Sequence, residues 1–141
     1  MSLYDVKLAL QRNWYQPIQL LSTYGLAKEN ISYTPIAGKP YVQFTFAPNN
    51  PSPLGMGEQS VGVDNQTGLY YIEVYEVANE GDAQANNDFE TIKARYYTGK
   101  NLTYNGQAVQ IIACGREAGG IVDDSWYRFR INISWRAQTP R

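Results

Sequence analysis

The acidic residues Glu117, Asp123 and Asp124 are the best candidates for a chemical site in this sequence. They lie in or beside a segment that contains glycines, and carboxylate oxygens grouped in this way could hold a hard cation such as magnesium. Their spacing matches no calcium-loop pattern, so we favour the alternative, a solvated acidic turn that precedes a strand. Glu73 and Glu76 do not form a second pair, because strand residues three apart point to opposite faces.

The sequence contains no histidine and a single cysteine, Cys114, in 141 residues. This composition excludes Ser-His-Asp and Cys-His nucleophiles, imidazole metal ligands, an internal disulfide and a thiolate zinc site. The glycines Gly55 and Gly57 lack the third glycine and the Lys-Ser/Thr pair of a nucleotide-binding loop. We therefore predict a protein that is not an enzyme and that uses no metal and no cofactor. A hydrolase that uses only carboxylates is a distant alternative.

The charge balance and the aromatic content favour contact with other proteins. The chain has 12 Lys and Arg against 13 Asp and Glu, a formal charge of −1, which argues against tight binding of nucleic acid. Charged residues make up only 18% and aromatic residues 13%, including 12 tyrosines. The first ten residues lack an export signal, and no apolar run is long enough to span a bilayer, so we expect no membrane association.

The spacing of apolar residues predicts two helices and a set of strands in one domain over residues 1–141. In chain order, the predicted elements are a helix over Ser2–Trp14, a strand over Tyr41–Ala47, a strand region over Ser60–Val77, a helix over Asp82–Thr98, a short buried run at Val109–Ala113 and a strand over Ser125–Arg136. Irregular segments are expected at Pro48–Gln59 and Gly115–Asp124. This order predicts an α+β fold, a single mixed, mainly antiparallel sheet with two main helices packed on one face.

Both predicted helices carry terminal signals. Ser2 is a plausible N-cap with Asp5 at the third helical position, and Asp82 is placed to cap the second helix. Three cations, Lys93, Arg95 and Lys100, lie toward the end of the second helix, where they suit the negative end of the helix dipole.

Two sets of side chains are predicted to point away from the core. The last strand places Arg128, Arg130 and Arg136 on one face, and Tyr71 and Tyr75 flank Glu73 on an earlier strand. The arginines fit a solvated sheet face, a row of carboxylates on a neighbouring chain or a phosphate backbone, and the near-neutral total charge lowers the last option. The tyrosines fit either cross-strand packing or an interface. Of these alternatives we favour protein contact, and the predicted subunit interface consists of Tyr71, Glu73, Tyr75, Arg128, Arg130 and Arg136.

Four segments in this order resemble a known family. They are the ENISYTP stretch ending at Pro35, the strand Tyr41–Pro48 that leads into a long Pro/Gly-rich loop, the strand Gly68–Val77 that runs through a short turn into the second helix, and the turn Asp123–Tyr127 into the last strand. In order and size the chain resembles the tail terminator proteins of long-tailed bacteriophages, the small neck proteins of the lambda U type.

The resemblance implies a structural protein of the virion. In such a family the subunits form a hexameric ring that caps the tail tube, ends its polymerisation and offers a surface for head-tail joining. The implied partners are further copies of the chain, the tail tube protein and a head-completion or connector protein, while DNA only passes through the ring. The implied location is the head-tail junction of the virion, with host cytoplasm during assembly.

By position, the long loop corresponds to the one that reaches the tail tube in such proteins. The residues expected to contact the tube are Asn49, Asn50, Leu54, Met56 and Glu58. A plain surface loop is the alternative for this segment. The alternative for the whole chain is a head-tail adaptor or connector, or another phage protein-binding module, that acts without forming a ring.

Overall fold

Eight strands form one sheet that carries two helices on one face. The computed structural model describes residues 2–28, 32–53, 63–78, 81, 83–117, 121–123 and 125–140. The elements in chain order are α1 (Leu3–Tyr15), β1 (Gly25–Ala27), β2 (Tyr41–Pro48), β3 (Ser52–Pro53), β4 (Val63–Val77), α2 (Ala83–Arg95), β5 (Asn101–Tyr104), β6 (Gln107–Arg116), β7 (Ile121–Asp123) and β8 (Trp126–Pro140).

The sheet is built around a long antiparallel pair, β4 and β8. Six strands follow the order β1-β2-β4-β8-β6-β5, with β3 paired to β4 and β7 paired to β8 off this path. The β4/β8 register runs from Val63 opposite Pro140 to Val77 opposite Trp126. Only the β1/β2 pair is parallel among the described strands. The predicted fold, a mainly antiparallel mixed sheet with two helices on one face, is confirmed.

Helix α1 begins and ends where its sequence signals indicate. The Ser2 hydroxyl accepts a hydrogen bond from the backbone N–H of Asp5 at 3.2 Å, which satisfies one free N–H of the first turn. Val6, Leu10 and Trp14 lie on one side of the helix and are fully buried. The Trp14 ring meets Phe44 of β2 edge to face at 5.1 Å, so α1 is packed directly on the sheet.

The two helix ends are joined by hydrogen bonds from the predicted cations. Helix α2 ends at Arg95, three residues before the predicted end, and its predicted cap Asp82 lies outside the described residues. The Arg95 guanidinium donates to the carbonyls of Trp14, at 3.2 Å, and Ile18. Lys100 Nζ donates to the carbonyl of Arg95 and to Asn13 Oδ1, both at 2.9 Å. These cations therefore satisfy carbonyl groups at helix ends, as the dipole argument predicts.

Several segments that the sequence predicts to be irregular pair as strands. Ser52–Pro53 pairs with β4 inside the predicted long loop, Gly115 and Arg116 extend β6, and residues 121–123 form β7. The last strand continues past Arg136 to Pro140 against the start of β4. On the edges that face away from each other, β4 and β8 extend beyond β2 and β6, and the short segments pair with the backbone groups there.

The hairpin of β5 and β6 is absent from the predicted elements. Its turn is Asn105-Gly106, with φ of 50° and 81°, the conformation of a two-residue type I′ turn. The predicted buried run Val109–Ala113 is part of the longer strand β6, in which the register shifts between Ile111 and Ala113. Ile112 at this irregularity is 44% exposed, so the prediction that the run is buried throughout is wrong.

Candidate interaction surface

The sheet face opposite the helices carries the polar and aromatic side chains that the sequence singled out. We call it the open face and define it by Tyr71, Glu73 and Tyr75 of β4 and by Arg128, Arg130 and Arg136 of β8. The alternate residues of these strands, such as Ile72 and Ile131, are fully buried in the helix-covered core. The predicted alternation is thus correct, and all six predicted interface residues share one face.

Glu73 is the electrostatic centre of the open face. The β4/β8 register places it opposite Arg130 and next to Arg128. Its carboxylate lies 3.3 Å from Arg128 Nη1 and 3.4 Å from Arg130 Nη2, and it accepts the Tyr75 hydroxyl at 3.3 Å. Glu73 is only 8% exposed. Two of the three predicted arginines therefore share one carboxylate partner within the chain.

The tyrosines of the open face differ in their contacts. Tyr75 stacks on Tyr41 of β2 at 4.3 Å with ring planes 7° apart, and Trp126 meets Tyr41 edge to face. Burial raises the pKa of Tyr75, the Glu73 charge raises it further, and Arg128 opposes both effects. Tyr71 lies under the Arg130 guanidinium at 4.8 Å and is half-buried. Tyr75 and Glu73 thus point away from the core as predicted, but neighbouring side chains cover them.

Arg136 differs from the other two arginines. It is exposed, and its Nε donates to Gln110 Oε1 of the neighbouring strand at 2.7 Å. Among the described residues it has no carboxylate partner. The three predicted arginines are therefore not equivalent: Arg128 and Arg130 pair with carboxylates of the chain, whereas Arg136 has no ion pair within the described residues.

The acidic residues considered as a cation site are only partly described. Glu117 accepts from Asn132 Nδ2 at 3.4 Å and lies 3.7 Å from Arg130 Nη1. Asp124 and the side chain of Asp123 fall outside the described residues. Within the described parts of the chain, His, Cys, Asp and Glu side chains nowhere gather in groups of three that could hold a metal.

The sequence analysis did not predict a polar cluster that lies on the helix-covered side of the sheet. The Tyr24 hydroxyl lies 2.7 Å from Asp88 Oδ2 of α2 and 3.1 Å from both Glu76 carboxylate oxygens. Asp88 also accepts from Gln84 Nε2 at 2.8 Å. Burial and the two carboxylates raise the pKa of Tyr24 far above its usual value. The available signal was the helical spacing of Asp88 from Ala85 and Ile92, which places a carboxylate on the apolar side of α2.

The start of the predicted tube-contact loop is held to β4. Asn49 donates two hydrogen bonds to Thr67. Its backbone N–H donates to the Thr67 carbonyl at 2.8 Å, and its Nδ2 donates to Thr67 Oγ1 at 3.3 Å. Gln66 Nε2 donates to the carbonyl of Asn49. Asn49 and Asn50 are exposed, whereas Leu54, Met56 and Glu58 lie outside the described residues.

Neither helix in the described part of the chain has the length and apolar character needed to cross a membrane.

Comparison with known proteins identifies a family. The sequence model of a family described as phage tail terminator protein matches residues 5–135, which is most of the chain. No curated protein sequence matches significantly. One solved structure, whose name states no function, is similar with a TM-score of 0.74 and 16% identity, covering 100% of this chain and 99% of the other. That likeness shows the fold, and the family match carries the functional information.

Proposed function

We infer the function from one premise: the chain belongs to the phage tail terminator protein family. Its role is accordingly structural, in the tail of a phage particle, and the family is not one of enzymes. We propose that identical copies of the chain form a closed ring, a hexamer, that caps the tail tube, ends its polymerisation and provides the surface for head-tail joining. The family match over residues 5–135 is the observation that carries this proposal.

The proposed partners follow from this position in the particle. One side of the ring contacts the tail tube protein and the other a head-completion or connector protein, at the head-tail junction of the virion. Assembly takes place in the host cytoplasm. Each copy has a formal charge of −1, so the ring has little net charge and lets DNA pass without binding it tightly.

The open face supports the proposed contact between copies. It combines aromatic rings with arginines, the residue types that are enriched where proteins meet. In this arrangement the buried Glu73, held by Tyr75, fixes the positions of Arg128 and Arg130. The residues that contact the neighbouring copy are Tyr71, Arg128, Arg130 and Arg136. The contact is heterologous, since a ring requires each copy to present two different surfaces.

The loop after β2 is the proposed contact with the tube. Asn49 anchors its start to β4 and so fixes where the loop leaves the sheet. The further residues assigned to the contact are Asn50, Leu54, Met56 and Glu58. Tube contact through an anchored loop agrees with the general placement of binding residues on loops that a rigid scaffold positions.

Co-assembly with the tail tube protein of the same phage tests the proposed function. Tube protein polymerised with this chain should give short, capped tubes in negative-stain images, and tube protein alone should give longer ones. Unchanged tube lengths would contradict the proposal. A chain that stays monomeric and binds one head or tail protein would instead identify it as an adaptor.

A further inference from the structure

We propose that a polar groove around Arg136 receives the outer side of helix α2 of the neighbouring copy, with Glu90 of that copy bound to Arg136. This inference rests on the proposed ring and names the contact that would join its subunits. The groove lies on the open face, and α2 lies on the opposite side of the sheet. One chain therefore carries both halves of the contact.

The groove is large enough for a side chain and is lined by groups that both donate and accept hydrogen bonds. Its volume is about 480 Å³. The lining side chains that matter are Asn65, Asn101, Gln110, Arg136 and Gln138. With Gln107, five carboxamides and one guanidinium line the groove and no carboxylate does, so it suits a polar, negatively charged group rather than an apolar helix.

Arg136 is held in a position that suits a carboxylate. Gln110 Oε1 accepts from its Nε at 2.7 Å, which leaves the two terminal nitrogens for an end-on carboxylate. Beneath the groove, the buried Gln107 donates from Nε2 to the carbonyls of Ala108 and Gln138, both at 2.9 Å, and so ties β6 to β8. The Arg136 guanidinium is therefore held in place before binding, on strands that are tied together, and this lowers the entropy cost of binding.

The complementary group lies on the outer side of α2. Glu90 is exposed and has no ion-pair partner among the described residues. Asn86 and Asn87 are also exposed and stand one turn before Glu90, so a carboxylate and two carboxamides form one patch. Within this patch Asn86 Oδ1 accepts from Arg116 Nη1 at 2.6 Å, which leaves the amide N–H groups of Asn86 to donate to the groove. This patch matches the groove in both charge and hydrogen-bonding groups.

The placement of the two halves favours a second copy as the occupant. An acid on the helix layer and its cation on the open face join copies front to back, and such a contact closes into a ring when its rotation permits.

Charge reversal tests this pairing. We would compare the self-association of the wild-type chain with that of R136E, E90R and the double variant R136E/E90R by sedimentation equilibrium. Each single variant should associate at least about tenfold more weakly because it places like charges together, and the double variant should recover to within about threefold of wild type. Arg136→Gln, a milder change, should give an intermediate loss.

Arg12→Glu is the matched control. Arg12 is also an exposed arginine whose Nε donates to a glutamine Oε1, that of Gln16, but it lies on α1 away from the groove. Its association should equal that of wild type, and circular dichroism should show that every variant is folded.

The outcomes separate the two proposals. If the wild-type chain assembles and R136E assembles equally well, the proposed groove contact is wrong, but the proposed ring is not contradicted. If the single losses occur but the double variant does not recover, the pairing of Arg136 with Glu90 is wrong. If the wild-type chain is monomeric at every concentration, the ring itself is wrong.

Discussion

At the scale of single residues, Gly68 shows how closely the core is fitted. A Cβ at this position would lie 2.7 Å from both Cζ2 of Trp135 and the carbonyl oxygen of Ala47. The Trp135 ring is itself stacked on Phe46 at 5.3 Å. Neither the backbone of β2 nor the stacked ring can turn away, so the site accepts only glycine.

Gly68→Ala should lower the free energy of unfolding by about 1 to 3 kcal/mol, the usual cost of overpacking, in urea denaturation. Gly115→Ala is the control, since a Cβ there meets nothing within 4 Å, and it should change stability by less than about 0.5 kcal/mol. Equal effects of the two substitutions would contradict the packing described for Gly68.

Glu73→Ala removes the carboxylate shared by Arg128, Arg130 and Tyr75. We expect a loss of about 1 to 3 kcal/mol in unfolding free energy, because two guanidinium groups lose their charged hydrogen-bond partner. Glu90→Ala, a change at an exposed acid that forms no ion pair within the described parts of the chain, should cost less than about 0.5 kcal/mol. If the two variants were equally stable, Glu73 would not be the centre of the open face.

At the scale of elements, sequence periodicity was most informative where one strand faces a core along its length. The alternation over Ser125–Arg136 predicted both faces of β8, including its arginines. The short strands β1, β3 and β7 could not be predicted in this way, since each exists only because a longer strand offers free backbone groups. The β5/β6 hairpin could have been found from its Asn-Gly turn.

The same limit applies to the candidate site. Alternation placed Glu73, Arg128 and Arg130 outward, but it gave no register between β4 and β8. That register puts Glu73 opposite Arg130 and leaves Arg136, six residues further along β8, opposite Thr67. The division of the arginines into paired and unpaired groups is therefore a tertiary property that the strand patterns alone do not contain.

The link between the two helices predicts a specific loss. Asn13 is buried, donates from Nδ2 to the carbonyl of Arg95 at 3.0 Å and accepts from Lys100. Asn13→Ala should lower the unfolding free energy by about 1 to 3 kcal/mol because it leaves the Lys100 ammonium short of an acceptor. Thermal melts measure this loss, and Asn87→Ala, at an exposed position of α2, is the control. A smaller effect for Asn13 than for Asn87 would contradict the described link.

At the scale of the whole molecule, stability should decline in alkaline solution. Burial raises the pKa of Tyr96 well above its usual value, and it raises the pKa of Cys114 to about 11. Both groups are neutral when protonated, so the folded chain retains protons that the unfolded chain releases, and rising pH favours unfolding. The contribution of Cys114 is lost between its ordinary pKa of 9.0 and about 11.

Unfolding free energies measured from pH 8 to 11.5 should therefore fall above about pH 9 to 10, by up to about 1.4 kcal/mol per pH unit for each such group. Tyr96→Phe should remove the contribution of one titrating group from the slope of unfolding free energy against pH. The variant should also be less stable at every pH, because it loses the hydrogen bond from Tyr96 to the carbonyl of Leu10. A profile that stays flat to pH 11.5 would contradict the burial of Tyr96.

Assembly is the property of the whole molecule on which the proposed function depends. Native mass spectrometry of the purified chain, from low to high micromolar concentration and with and without magnesium, measures it directly. If the chain forms the proposed ring, one closed oligomer of fixed mass, a hexamer, should replace the monomer as concentration rises. A strict monomer at the highest concentration under both conditions would contradict it.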